Sequence, residues 1–184
     1  MKNTERLEIQ ISTERLQRET LSMKYIQEIF KEFTDDVTKR LRASTPKTIE
    51  EEEDRVRRSI EKLKQWTDVN FTVIDKQGDF IWCCGIMHLD QKVIEVGLWL
   101  KQSARGQGYG KEMIGGLVKR IQENKDFDYI LYRACKDNIG TRKIAEYFGG
   151  VLQFDEEWKE KIFIEEKFDS SWSFDAVEYR IYKK

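Results

Sequence analysis

The stretch from Gln102 to Lys111 carries the residue types best suited to binding a phosphate group. Its glycines alternate with other residues in the run Gly106-Gln107-Gly108-Tyr109-Gly110. Glycine has no side chain to hold a diphosphate away from the backbone, and it tolerates the positive φ angles at which successive N–H groups converge on an anion. Because Arg105 and Lys111 add positive charge around these glycines, the stretch predicts a phosphate-binding loop.

The loop lies between a strand pattern and a helix pattern. Val93 to Leu100 is an apolar run typical of a strand. The first N–H groups of a helix have no partner within the helix, and the helix dipole attracts negative charge there. The loop therefore precedes a helix N-terminus, a common site of phosphate binding, because apolar residues follow it at helical spacing: Met113, Ile114, Leu117, Val118 and Ile121.

Two familiar phosphate-binding motifs do not fit this loop. The Walker motif requires GxxxxGK[ST], whereas Glu112 stands where Ser or Thr would hold magnesium. A Rossmann fingerprint starting at Gly106 would require a third glycine at position 111, which is Lys. The Walker motif is excluded and the Rossmann fingerprint fits poorly. A glycine-rich turn by itself also serves as an ordinary tight turn.

Length and composition fit one domain with a highly charged surface. The chain has 184 residues, of which 33 are Lys or Arg and 34 are Asp or Glu, for a net charge of −1. This balance provides no basic field for nucleic acid, and no run approaches the roughly 18 apolar residues of a membrane span. We expect a single domain over residues 1–184, no nucleic-acid or membrane partner, and a cytoplasmic location.

The histidine and cysteine content argues against a metal site. His88 is the only histidine, which excludes sites that need two imidazoles. Cys83, Cys84 and Cys135 are odd in number and include no CxxC spacing, so neither a disulfide framework nor a thiolate zinc site is indicated. We expect buried free thiols and no metal.

The rest of the chain alternates between strand and helix patterns. The order predicts an α/β (α+β) fold: a mixed sheet covered on both faces, with a right-handed βαβ unit around the loop. The predicted strands are one or two within residues 7–20, the hairpin 71–89, Tyr129 to Cys135, Val151 to Phe154 and Phe174 to Tyr182. Three further helices are predicted: one capped by Ser22 that ends near Thr34 to Asp36, one from Thr48 to Leu63 and one from Ile139 to Phe148.

Two stretches could belong to a binding site or to ordinary structure. Thr48 and Glu51 form a capping box, and the acidic run Glu50 to Asp54 is expected to be a solvated helix face rather than a binding patch. Aromatic residues between Asp155 and Ser173 are expected to be mostly core, with one or two at a cleft: Trp158, Phe163, Phe168 and Trp172.

The spacing around the loop resembles the general N-acetyltransferase (GNAT) superfamily. Its acetyl-CoA signature is Gln or Arg, two residues, Gly, one residue, then Gly or Ala, and Arg105-Gly106-Gln107-Gly108-Tyr109-Gly110 satisfies it. Glu95-Val96-Gly97-Leu98-Trp99-Leu100 is similar to the family's fourth strand, and Asn138-Ile139-Gly140-Thr141 resembles the start of its late helix. These segments look most like the branch that acetylates N-terminal residues of ribosomal proteins.

The resemblance implies a mostly antiparallel sheet of about seven strands in which two parallel strands splay apart and admit the pantetheine arm of acetyl-CoA. Pyrophosphate would lie on the N–H groups of the loop, and Asn138 would bind pantetheine or cap its helix, or do both. The residues expected to bind this cosubstrate are Leu98, Trp99, Leu100, Arg105, Gly106, Gln107, Gly108, Tyr109, Gly110, Lys111, Asn138 and Thr141.

Glu95 is the candidate general base for the acetyl transfer that this resemblance implies. Period-two alternation places Glu95, Gly97 and Trp99 on one face of the strand. A carboxylate within an otherwise apolar strand is costly unless it is hydrogen-bonded or faces a cleft. A catalytic role, in which Glu95 removes the amine proton through a water molecule, would explain this carboxylate. An arginine partner or a position on an exposed strand edge would also explain it.

The general acid and the acceptor stay unassigned by the sequence. Many relatives place Tyr seven residues after the motif Asn, but this chain has Ala145 there, and Tyr147 would lie about 200° around the helix. Cys135 and His88 could line the site, although a buried thiol and a turn histidine are the simpler interpretations. The expected acceptor is a protein N-terminal amine; the alternatives are a small amine such as an antibiotic or polyamine, or a silent acyl-CoA-binding module, in a monomer or homodimer.

Overall fold

The computed structural model describes residues 13–41, 43–153 and 176–183. The strand predicted from Leu7 to Ile11 and the aromatic residues predicted between Asp155 and Ser173 lie outside the described residues. Phe154 and Phe174, predicted at strand ends, also lie outside them.

A seven-stranded mixed sheet forms the centre of the fold, as predicted. Its strands are β1 (Leu16–Thr20), β2 (Val69–Asp75), β3 (Phe80–Met87), β4 (Val93–Leu100), β5 (Tyr129–Cys135), β6 (Val151–Gln153) and β7 (Ala176–Tyr182). They lie in the order β1-β2-β3-β4-β5-β7-β6, and every neighbouring pair is antiparallel except β4 and β5. The single parallel pair therefore flanks the crossover that contains the glycine loop.

Helices cover both faces of the sheet. They are α1 (Ile26–Glu32), α2 (Asp35–Thr38), α3 (Ile49–Gln65), α4 (Tyr109–Asn124) and α5 (Ile139–Tyr147). On one face Ile94 and Val96 share the main core with Met113 and Leu117 of α4. On the other face Trp99 packs against a second core cluster that includes Ile29 of α1. The alternation predicted for β4 is confirmed, because neighbouring residues of this strand enter different cores.

The first helical region differs from the prediction of one helix after Ser22. Ser22 Oγ accepts a hydrogen bond from Lys24 N, 3.4 Å away, but the chain first makes a 3₁₀ turn over Met23–Tyr25 before α1 begins. A separate short helix, α2, follows where the predicted helix was expected to end. Phe33, with φ −86° and ψ 64°, ends α1 and separates it from α2.

The predicted capping box at the start of α3 is only half present. Thr48 Oγ1 accepts from Glu51 N at 3.4 Å, as expected for a helix cap. Glu51 Oε2 instead accepts a hydrogen bond from Lys47 N at 2.7 Å, one residue further back than the motif requires. The helix start was therefore predicted correctly, while the reciprocal bond was wrong.

The β4 and β5 strands separate partway along their length. Their pairing consists of Val93 with Tyr129, Ile94 with Ile130 and Glu95 with Leu131. Beyond this point β5 stays paired with β7 as far as Cys135, while β4 continues against β3. A wedge-shaped gap therefore opens between Val96–Leu100 and the second half of β5, as the family resemblance implied. No described helix is long and apolar enough to cross a membrane.

Candidate active site

The glycine loop has the backbone that an anion site requires at two of its three glycines. Gly106 has φ +78° and Gly108 has φ +79°, conformations that L side chains rarely adopt. The expectation of positive φ at Gly110 is wrong, because Gly110 lies in the first turn of α4. A Cβ there would approach Ile144 Cδ1 to 3.1 Å and Leu100 Cδ1 to 3.6 Å, so this glycine lets α4 pack closely against β4 and α5.

The start of α4 directs backbone N–H groups toward the loop. Gly108 is the N-cap in a left-handed conformation and has no side chain to bond the first donors of the helix. The helix continues for 16 residues, so its dipole adds positive potential at this end. The loop and the helix start together have the backbone geometry that suits a bound phosphate group.

Arg15 fastens the loop to the beginning of the described chain. Its Nε and Nη2 donate to Glu112 Oε2 at 2.8 and 2.6 Å, and its Nη1 donates to Gln107 O at 3.1 Å. The guanidinium also lies 4.5 Å from the ring centroid of Tyr109. Burial raises the pKa of Glu112, but hydrogen bonds from Thr13 and Arg15 outweigh it and leave the pKa below its ordinary value. Sequence analysis missed this contact because the partners are far apart in the chain.

The two cations of the loop contact protein groups in the described structure. Arg105 Nη1 donates to Asp36 Oδ2 of α2 at 2.6 Å. Hydrogen bonds from Lys39 and then Arg105 lower the pKa of Asp36. Lys111 Nζ lies 3.3 Å from the ring centroid of Tyr147 on α5. Both cations thus stay close to the loop, where an incoming phosphate could exchange with these contacts.

A continuous cavity of about 730 Å³ joins the loop, the β4–β5 gap and the space beneath α1–α3. We call the part along the loop and gap the donor half, and the part beneath α1–α3 the acceptor half. The predicted cosubstrate residues that line the cavity are Leu98, Trp99, Leu100, Arg105, Gly106, Gly108, Tyr109, Gly110, Lys111, Asn138 and Thr141. Gln107 is not among them, and its Nε2 donates to Ser103 O at 2.9 Å.

Asn138 occupies the position between β5 and α5 that the motif predicted. Its Oδ1 accepts a hydrogen bond from Thr141 N at 3.3 Å, which caps α5. Both residues also line the cavity. The interpretation of Asn138 as a helix cap is therefore confirmed. Because its side chain also borders the cavity, a contact with pantetheine is compatible with this position.

Trp99 contributes to the two halves of the cavity in different ways. Its ring lies 4.9 Å from the ring centroid of Phe33 and 5.8 Å from that of Phe80, on the α1 side of the sheet. Its side chain therefore forms a wall of the acceptor half. Only the backbone of this residue faces the gap, where the edge of β4 has no pairing with β5.

Glu95 lies at the point where β4 and β5 separate. Its side chain is 12% exposed, and its Oε2 accepts a hydrogen bond from Arg133 Nη1 at 3.0 Å. His88 Nε2 lies 3.9 Å from the same oxygen, in a turn where His88 has φ +61°. The sequence did not predict Arg133 as the partner of Glu95. Leu131 is the β5 partner of Glu95, and Arg133, two residues later, lies on the same face of β5 as Leu131.

A pair of glycines forms part of the floor of the acceptor half. Gly97 of β4 lies opposite Gly85 of β3. A Cβ on Gly85 would approach Asn70 Oδ1 to 2.3 Å, so that space is already filled. A Cβ on Gly97 would meet only Met87 Cε, at 3.6 Å, so the space above Gly97 is open. Absence of a side chain at this position keeps the cavity continuous beside Glu95.

Glu52 corrects the prediction that the acidic run of α3 is a solvated face. It is 3% exposed and lines the acceptor half, whereas Glu53 and Asp54 pair with Arg57 on the outside. Burial raises the pKa of Glu52, and the charges of Arg55 and Arg58 oppose this only in part. The run of like residues in the sequence concealed that one of them faces inward.

The cysteines, Ala145 and Tyr147 were the remaining residues considered for chemistry in the sequence. All three cysteines are buried and free, as expected; burial raises the pKa of Cys83 well above its ordinary value and that of Cys84 to about 11. Cys135 also lines the cavity. Ala145 is fully buried, and Tyr147 is 62% exposed, so neither supplies a proton inside the gap. Across the described ranges no group of three or more His, Cys, Asp or Glu side chains could hold a metal.

The β4 and β5 strands splay apart beside the glycine loop, which is the arrangement that the family resemblance implied. Residues 15–151 match the family described as "Acetyltransferase (GNAT) domain", and the chain belongs to this family. It is therefore an acetyltransferase, and this family uses acetyl-CoA as the acyl donor. No curated protein matches the sequence significantly.

Solved structures share the fold at low sequence identity. The Salmonella typhimurium acetyltransferase that modifies the N-terminal serine of ribosomal protein L7/L12 has a TM-score of 0.76 and 14% identity, covering 94% of this chain and 97% of that one. Spermidine N-acetyltransferase from Vibrio cholerae, in complex with CoA and spermine, has a TM-score of 0.74 and 14% identity, covering 93% and 97%. A GNAT-family acetyltransferase from Bacillus anthracis gives 0.75 and 17%, covering 95% and 99%.

Proposed function

We propose that this acetyltransferase transfers the acetyl group of acetyl-CoA to a protein N-terminal α-amine, and that residues 1–184 form one catalytic domain. The observation that carries the choice of acceptor is the charge balance of the acceptor half. Among the described residues it is lined by three carboxylates, Asp36, Glu52 and Glu95, and by three guanidinium groups, Arg40, Arg55 and Arg133. A site that selects a polyamine needs an excess of negative charge, and this lining provides none.

The donor half fits acetyl-CoA by its backbone. The positive-φ glycines and the start of α4 offer N–H groups to a diphosphate, and the free edge of β4 near Leu98 and Leu100 offers peptide groups to pantetheine. Asn138 would bind the same arm from the other side of the gap. When bound, acetyl-CoA supplies the activated acyl thioester, and these protein groups hold and orient it.

Glu95 acts in this proposal as the general base, through a water molecule. It faces the acceptor half beside the open floor at Gly97, and Arg133 fixes its orientation. An α-amine with an ordinary pKa near 8 is already partly neutral at pH 7, whereas a lysine near 10.4 is almost wholly protonated. Because Glu95 is already hydrogen-bonded to Arg133, it suits the easier proton removal, and this supports an α-amine acceptor.

Release of free thiol from acetyl-CoA, with different amines present, tests the proposal. We expect acetyl-CoA to raise the melting temperature and short peptides with a free N-terminus to be acetylated. Matched acceptors are the same peptides with a blocked N-terminus and an internal lysine, spermidine, and an aminoglycoside. Turnover of spermidine or the aminoglycoside in preference to every free peptide would establish a small-amine enzyme, and thermal stabilisation with no turnover at all would indicate a binding module.

A further inference from the structure

Glu52 and Arg55 form an unusual pair at the inner end of the acceptor half. Both belong to α3 and line the cavity, and Glu52 Oε2 lies 3.3 Å from Arg55 Nη1. In the described part of the chain neither of these atoms makes a hydrogen bond, to the other or to a third group. Buried polar atoms are almost always hydrogen-bonded, so a pair left unsatisfied beside a cavity points to a ligand.

The rest of the Arg55 side chain is held in place. Its Nη2 donates to Ser44 O at 2.9 Å, and its guanidinium lies 4.8 Å from the ring centroid of Phe33, another cavity residue. Glu52 is 3% exposed, so its carboxylate is removed from solvent in this position. Arg55 Nη1 and Glu52 Oε2 form an ion pair with each other but make no hydrogen bond with any described residue, and they lie side by side at the cavity.

We propose that this pair recognises an amide of the acceptor, whose N–H donates to Glu52 Oε2 and whose C=O accepts from Arg55 Nη1. The proposal rests on the proposed function and names the part of a peptide acceptor that would be read. An amide carries one donor and one acceptor with no net charge, which matches a neighbouring carboxylate and guanidinium.

Charged groups fit this place less well. A second ammonium of a diamine would pair with Glu52 but would meet the guanidinium of Arg55, with Arg58 also close enough to act on Glu52. A carboxylate would pair with Arg55 but would meet Glu52. Because each single charge gains one contact and suffers one repulsion, the neutral amide is the group that satisfies both atoms.

The shape of the cavity connects this pair with the reacting end. The charge of Glu52 contributes to the raised pKa of Cys83 on β3, after burial and Cys84. Cys83 is the β3 partner of Trp99, which lies two residues from Gly97 on the same face of β4. Glu52, Arg55, Gly97 and Glu95 all line the same cavity. An extended acceptor whose amine enters the gap therefore directs its next peptide groups toward Glu52 and Arg55.

Ester substitution in the acceptor tests the inference. A short peptide acceptor is compared with analogues in which an ester oxygen replaces, in turn, the N–H of each of the first three peptide bonds. A hydrogen bond to a charged group contributes enough that its loss should lower kcat/KM about 10-fold or more at one of these positions in the wild-type enzyme. In Glu52→Gln the same ester should cost about 3-fold or less, because the charged acceptor is gone.

A matched control is Glu61→Gln, on the exposed side of the same helix, which should keep the full wild-type discrimination against the ester. Equal kcat/KM for all esters and the parent peptide in the wild type overturns the inference, and so does equal discrimination in wild type and Glu52→Gln. If Glu52→Gln does not fold, the wild-type comparison alone decides. Peptide turnover without discrimination rejects only this inference, whereas spermidine turnover with no peptide turnover rejects the proposed function as well.

Discussion

The two halves of the cavity are built in opposite ways. The donor half consists mostly of backbone from one continuous segment, the loop and the start of α4, together with the free edge of β4. The acceptor half consists of side chains from α2, α3, β3, β4 and β5, such as Asp36, Glu52, Glu95 and Arg133. Under the proposed function, donor binding depends on local backbone conformation. Acceptor choice depends on a few long-range side-chain contacts, so we expect it to change without disturbing donor binding.

The largest predicted effect comes from breaking the donor half at Gly108. In Gly108→Val, a β-branched residue would have to adopt φ +79°, so the loop should take another conformation. We expect acetyl-CoA affinity to fall by about 100-fold, as measured by calorimetric titration.

Gly78→Val is the matched control for this substitution. Gly78 has φ +91°, a Cβ there would meet nothing within 4 Å, and it lies in the turn between β2 and β3. It carries similar backbone strain away from the cavity, so it should lower the melting temperature while leaving acetyl-CoA affinity within about 2-fold. Similar losses of affinity in both variants would mean that strain, rather than the loop, controls donor binding.

The next effect distinguishes a catalytic from a structural Glu95. Glu95→Gln should lower kcat by about 30-fold on an α-amine acceptor, less than a base that must deprotonate lysine would cause. Acetyl-CoA affinity should stay unchanged because Glu95 lies on the acceptor face. If the melting temperature falls while kcat at saturating substrate is retained, Glu95 serves only as the partner of Arg133.

A smaller effect concerns the open floor of the acceptor half. Gly97→Val should be accommodated by the fold, because a Cβ there meets only Met87 Cε at 3.6 Å and that atom ends a flexible side chain. The added methyl groups occupy acceptor space, so KM for the acceptor should rise by about 10-fold with acetyl-CoA affinity unchanged. Unchanged acceptor kinetics would show that the substrate does not pass over Gly97.

The smallest effect is a pH dependence of stability due to Glu52. Burial raises the pKa of Glu52 in the folded state, so the folded protein binds more protons than the unfolded chain between the unfolded pKa near 4.5 and the raised folded value. Stability attributable to Glu52 therefore falls as pH rises through this window. Each unit of raised pKa corresponds to about 1.4 kcal/mol.

Chemical denaturation of wild type and Glu52→Gln at a series of pH values measures this effect. The difference in unfolding free energy should shift in favour of Glu52→Gln as pH rises above about 4.5 and then level off. Glu61→Gln, whose parent side chain is exposed, should show no such shift. A pH-independent difference between wild type and Glu52→Gln would mean that Glu52 is not destabilised by burial.

The sequence predicted most of the fold and the donor half because their signals are local. Apolar alternation located β4 with its exact bounds, and glycine spacing located Gly106 and Gly108, whose φ angles are positive. Gly110 was misjudged because its requirement comes from Ile144 and Leu100, residues of other elements. The sequence does not distinguish a glycine that is required by close packing from one that is required by a positive φ.

The acceptor half was largely beyond prediction because its contacts depend on register and on helix orientation. Arg133 meets Glu95 only because Leu131 is the β5 partner of Glu95. Glu52 faces the cavity while its neighbour Glu53 pairs with Arg57 outside, a difference that an acidic run does not reveal. The sequence indicated the donor through a motif, and the acceptor only through the resemblance to one branch of the family.

A competition between amines in one tube tests the central claim most directly. The enzyme receives limiting acetyl-CoA, a peptide with one free α-amine and one internal lysine, and an equimolar amount of spermidine, and mass spectrometry locates the acetyl group. The charge-balanced acceptor half and the partly neutral α-amine predict acetylation of the peptide N-terminus, with at least about 10-fold less on the lysine and on spermidine. Acetyl groups found mainly on spermidine or on the lysine would contradict the account.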